Sequence, residues 1–151
     1  MAKFNFLKCS LLMPLLASMT LSLGAVGSTS NGTPAQDLVY GKWRIVKVLG
    51  HSAITDMSER SARGMVGRRV FIGKDRFVFN GEVCEAPAYV RTREDTAVTL
   101  REKWHASAAN LGLPDPVTAF DAGCTTIFAK SRGALVVPWS GYFFEIVPLR
   151  R

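Results

Sequence analysis

The chain has 151 residues, 48% of them hydrophobic, and a formal net charge of +7. That length supplies one domain. No dense basic stripe with interleaved aromatics accompanies the charge, which argues against nucleic acid as a partner.

The N-terminus opens with Lys3 and Lys8, then an apolar run from Leu11 to Leu23 interrupted by Pro14. The run is short for a membrane-spanning helix. Small residues at Ala25 and Gly27 complete the pattern of a secretory signal peptide over 1–27, cut after Gly27, with Ala35 as the alternative. Cys9 lies inside the signal, and Lys8 in front of it argues against lipid attachment. Without Lys3 and Lys8, the 19 basic residues fall to 17 against 12 acidic, a moderate excess of five. Such an excess suits an acidic protein or the anionic polymers of a cell envelope. Two cysteines remain, Cys84 and Cys124. In a periplasmic or extracellular compartment they are expected to form a disulfide. Closing that loop contributes about 3–4 kcal/mol in the chain-entropy model. Two buried free thiols are the alternative.

Residues 28–37 are small and polar and read as a flexible leader, which leaves 38–151 as the domain. Trp43 and Ile45 share one face of a first strand. The apolar phase then shifts to Val46 and Val48, which predicts a bend or bulge. Met57, Ser61, Ala62 and Met65 have near-helical spacing, and Gly67 ends a short helix. Strands follow at Arg69–Ile72 and Phe77–Phe79. Asn80-Gly81 then marks a hairpin into Glu82–Cys84. Ala97, Leu100, Trp104, Ala108 and Leu111 recur at three and four residues and predict one long helix over Thr92–Leu111, capped at its start by Thr92. Four strands complete the chain at 117–121, 125–129, 135–139 and 142–147.

About eight short antiparallel strands must manage their edges, and a closed or nearly closed barrel does so. The expected architecture is therefore mainly β, with the Trp104 stripe covering part of the barrel. Gly41-Lys42-Trp43 resembles the Gly-x-Trp opening of lipocalins and other calycins. That resemblance implies a calycin-like barrel with Trp43 buried at its closed end, and a small apolar or amphipathic ligand as one possible occupant.

The catalytic inventory is poor. His51 and His105 are the only histidines, and no nucleophile, phosphate-loop or metal motif is present. No catalytic residue, metal or cofactor is expected. The candidate binding residues are Arg68 and Arg69 at one end of the strands, together with Tyr89, Trp139 and Tyr142. The expected function is a monomeric, non-enzymatic binding module of the periplasm or exterior. Its partner would be a small amphipathic ligand inside the barrel or an acidic protein at the loops, as for an inhibitor or immunity protein. An envelope structural or stress protein and an enzyme of unrecognised class are the rival classes.

Overall fold

The bend expected in the first strand is a double irregularity. Strand β1 (Gly41–His51) pairs with the last strand, β9 (Tyr142–Pro148). Its register shifts between Ile45 and Lys47, and again between Val48 and Gly50. Each extra residue bends and twists its strand, so the bulges curl the sheet where its two halves join. The computed structural model describes residues 40–149. The expected signal peptide over 1–27, with Cys9, and the leader over 28–37 lie outside the described residues.

Nine antiparallel strands form one sheet in the order β4-β3-β2-β1-β9-β8-β7-β6-β5. The middle strands are β2 (Arg69–Ile72), β3 (Arg76–Phe79), β4 (Glu82–Glu85) and β5 (Val90–Glu94). They are followed by β6 (Val117–Asp121), β7 (Thr126–Ala129) and β8 (Leu135–Trp139). Every ladder joins consecutive strands, except that β1 pairs with β9. The one consecutive pair without a ladder is β4 and β5. The result is a curled half-barrel, an up-and-down meander whose seam runs between β4 and β5. Cys84 on β4 is bonded to Cys124 in the β6–β7 turn, Cα–Cα 6.3 Å, and ties that seam at one point.

Local sequence accounts for the turns. Asn80 and Gly81 take φ of 51° and 85°, as do Ser140 and Gly141 at 46° and 82°. Two successive left-handed residues give the tight hairpin whose twist matches the strands. Gly141 has a second reason: the backbone of Ile54 and Thr55 lies where a Cβ would stand. Ser52 N–H donates to the Gly141 carbonyl at 2.7 Å, which holds that loop down.

The two faces of the sheet are built differently. The inner face carries Trp43, Ile45, Val70, Ile72, Phe77, Phe79, Ile127, Val137, Phe144 and Ile146, all buried in one cluster. The outer face of β6–β9 carries Val117, Ala119, Phe128, Val136 and Phe143 in a second cluster. Trp104 covers that face, its ring 6.4 Å from Phe128 and 6.2 Å from Phe143, both edge-on. This is the covering role expected of the Trp104 stripe.

The long helix over Thr92–Leu111 is corrected. Val90–Glu94 is strand β5, and the helix α2 spans only Thr96–Trp104. Asp95, not Thr92, caps it, accepting from Val98 N–H at 2.8 Å. His105 ends it in the left-handed conformation, φ 48°. Ala108 and Leu111 still pack on the same cluster, but from the irregular segment after α2. The extra strand also raises the expected eight strands to nine. The earlier helix, α1 (Glu59–Arg63), is capped by Ser58, and Met65 lies just beyond it.

Candidate functional site

The sequence-predicted site residues fall on opposite sides of the sheet. Arg69 begins β2 and stands directly opposite Arg44 of β1. Both are exposed on the outer face, since the alternating Val70 and Trp43 point inward. Arg68, in the preceding loop, donates from its guanidinium to the Asn80 side chain at the β3–β4 turn. Lys42, Phe71, Val78 and Val83 continue the outer face in one cross-strand row. Arg76 lies 5.6 Å from the Phe71 ring centre in a cation–π contact. Among the described residues, none of Lys42, Arg44, Arg68, Arg69 and Arg76 makes an ion pair. Sequence reasoning singled out Arg68 and Arg69 but not Arg44, whose place opposite Arg69 depends on strand register.

Tyr89, Trp139 and Tyr142 belong to the interior cluster. Trp139 stacks on Phe79, with ring centres 4.9 Å apart. Phe79 in turn meets Phe144 at 5.4 Å. Tyr142 is buried beneath the exposed ring of His51, 5.6 Å away. Tyr89 is buried at the seam, where its hydroxyl donates to the Gly73 carbonyl at 2.9 Å. Tyr40 meets it edge-on at 5.4 Å. Burial, followed by the neighbouring Tyr40, pushes the Tyr89 phenol well above its ordinary range, so it stays a neutral donor. The structure therefore sets Arg69 beside Arg44 on the outer face, leaves Arg68 in the loop before β2 with Asn80, and gathers the three aromatics on the inner side.

The remaining chemistry-bearing residues are structural in placement. His51 Nδ1 lies 2.8 Å from the Ser52 carbonyl. His105 forms the left-handed end of α2, and its carbonyl accepts from Ala53 N–H. Among the described residues, no three His, Cys, Asp or Glu side chains are grouped to hold a metal ion. No helix among them is long and apolar enough to cross a membrane.

Glu94 is the best-connected carboxylate among the described residues. It accepts from Thr92 Oγ1 at 2.8 Å, from Thr99 Oγ1 at 2.9 Å and from Lys103 Nζ at 3.0 Å. Partial burial raises its pKa. Hydrogen bonds from Lys103, Thr92 and Thr99, with the Lys103 charge, outweigh that and leave it below its ordinary value. Its work is to clamp β5 to α2. Comparison with known proteins gives no matching family, no matching curated protein and no matching solved structure.

Proposed function

We propose that this chain is exported through a signal peptide over 1–27 and acts in the periplasm or outside the cell as a non-enzymatic binding module. Its partner is an acidic protein, recognised at the face around Arg44, Arg68 and Arg69. The observation that carries this reading is the Arg44–Arg69 pair. Like charges directly opposite on neighbouring strands are destabilising, by roughly 0.2–1 kcal/mol. Here they stand on a sheet face that no other element covers among the described residues, whereas the outer face of β6–β9 is covered by Trp104 and its neighbours. A surface that retains a stability cost for clustered charge is suited to an oppositely charged partner.

The choice of surface over interior rests on packing. The inward positions that a calycin-like ligand would need are taken by Phe77, Phe79, Trp139 and Phe144, whose rings pack against one another. The calycin reading draws support from Trp43, which is 4% exposed near the start of β1, and from the meander whose first and last strands, β1 and β9, pair. Export is supported by the basic and apolar N-terminus and by the Cys84–Cys124 bond, which suits an oxidising compartment.

The test is affinity capture from periplasmic extract at low and high salt, with wild type and the Arg68→Ala/Arg69→Ala variant side by side. The expected result is an acidic protein retained by wild type, released by salt and lost by the variant. Capture indifferent to the variant removes the arginine face from the account. Recovery of an extractable lipid instead points to an interior ligand. Intact mass of the exported protein checks the rest, since a chain retaining Met1 contradicts cleavage after Gly27.

A further inference from the structure

Strand β5 is one terminal strand of the sheet, at the opposite end of the strand order from β4 and four ladders from β9. It pairs with β6 along its whole length, from Val90 opposite Asp121 to Glu94 opposite Val117. Its other edge has no strand partner among the described residues. Residues 90–93 are all exposed, including Val90 at 56%. Such an edge presents a row of backbone donors and acceptors to any extended chain.

Register fixes which side chains flank that row. Arg91 and Arg93 lie opposite Phe120 and Thr118, and Phe120 belongs to the inner cluster, so both arginines are on the inner side. Val90 and Thr92 alternate with them on the outer side. Neither arginine makes a side-chain hydrogen bond or ion pair among the described residues. The only acidic group on the strand, Glu94, is occupied by Lys103, Thr92 and Thr99.

We propose that β5 is a strand-addition site for an extended acidic segment of a partner protein, with carboxylates two residues apart facing Arg91 and Arg93. Main-chain hydrogen bonds give the affinity, and alternate side chains give the selection. Apolar residues between the carboxylates meet Val90. A second copy of this chain is disfavoured as the occupant. Antiparallel pairing of two β5 strands centred on Thr92 sets Arg91 against Arg93 twice, and opposed like charges destabilise a ladder. The site is separate from the Arg68–Arg69 face and does not depend on it.

The probe is a short fluorescein-labelled synthetic peptide alternating valine and glutamate, titrated against the exported protein by anisotropy. Wild type should bind it saturably. The Arg91→Glu/Arg93→Glu variant should bind it about tenfold or more weakly, because two opposite-charge pairs become like-charge pairs. That variant should instead take up the corresponding valine–lysine peptide, an outcome that a misfolded variant cannot produce. Methylating alternate backbone nitrogens of the glutamate peptide should abolish binding, and Arg68→Ala/Arg69→Ala should leave it unchanged. Several results overturn the proposal. Absence of saturable binding means the arginines serve only to repel other strands. Equal binding of the methylated peptide means simple charge attraction. Unchanged peptide preference in the charge-reversed variant means that another surface is used.

Discussion

The Tyr89 hydroxyl donates to the Gly73 carbonyl at 2.9 Å, so the residue that precedes β5 is anchored to the turn between β2 and β3. This bond and the Cys84–Cys124 disulfide are two ties across a seam that no ladder closes. Tyr89 also holds a left-handed backbone, φ 48°, which costs a non-glycine residue free energy. Tyr89→Phe removes the donor and leaves the Gly73 carbonyl unsatisfied. The expected loss is about 1–2 kcal/mol in urea unfolding. The phenol's pKa is raised by burial and by Tyr40. Its contribution is therefore fully present below the unfolded value near pH 10 and declines as pH rises beyond it. Wild type should lose stability in that alkaline window, and Tyr89→Phe should lose less. Equal alkaline sensitivity in both proteins contradicts this assignment.

The disulfide should account for a larger share. Cys84→Ala/Cys124→Ala is expected to lower stability by about 2–5 kcal/mol. Thiol labelling of the unfolded, unreduced protein should find no free thiol at either position. Quantitative labelling of both cysteines contradicts the bond.

The strands that alternate strongly were legible from residues alone. The elements 117–121, 135–139 and the Asn80-Gly81 hairpin stand where apolar alternation and turn chemistry place them. The bulge in β1 was legible too, because Trp43 and Ile45 change phase with Val46 and Val48. Strand β5 was not. Val90–Glu94 has a single apolar residue, and its structure depends on pairing with β6, a partner more than twenty residues away. Thr92 resembles a helix cap, yet Asp95 supplies the cap because Thr92 is already within a ladder. The candidate site divides along the same line. Arg68 and Arg69 were visible as a charged cluster, whereas Arg44 joins them only through register. The inward orientation of Trp139 and Tyr142 also depended on which strands face each other.

Trp43 provides a direct test of the interior. It is 4% exposed and lies in the same cluster as Ile45, Val70 and Phe79. Trp43→Ala should cost about 3–5 kcal/mol, the range for a large aromatic removed from a packed core. A loss within about 0.5 kcal/mol would place Trp43 outside that core.

Glu94 sets an acid limb. Its pKa is lowered because hydrogen bonds from Lys103, Thr92 and Thr99 and the Lys103 charge outweigh the effect of partial burial. A lowered carboxyl contributes stability above its unfolded value, near pH 4.3, that is lost as pH falls through the folded value. Glu94→Gln should therefore be less stable than wild type at pH 7, and the gap should narrow as the pH falls below about 4. Urea midpoints at the two pH values read this directly. A constant gap would mean that the three donors hold Glu94 by shape and not by charge.

The Arg44–Arg69 pair separates stability from recognition. Both side chains are exposed, and exposed charges contribute little to folding. Arg69→Thr removes like-charge repulsion and places a strand-favouring residue on an exposed face. Its stability should equal or exceed that of wild type by up to about 1 kcal/mol. Association with the acidic partner should slow, while dissociation changes less, because unpaired surface charge acts mainly on encounter. Wild-type association should fall as salt rises, since the screening length is about 8 Å at physiological ionic strength. The variant should show a weaker salt dependence. Stopped-flow or surface-plasmon measurements over a salt series give both rates. If Arg69→Thr destabilises the fold by more than about 1 kcal/mol, the arginine is a structural part of the sheet. If it leaves the association rate and its salt dependence unchanged, recognition does not pass through this face.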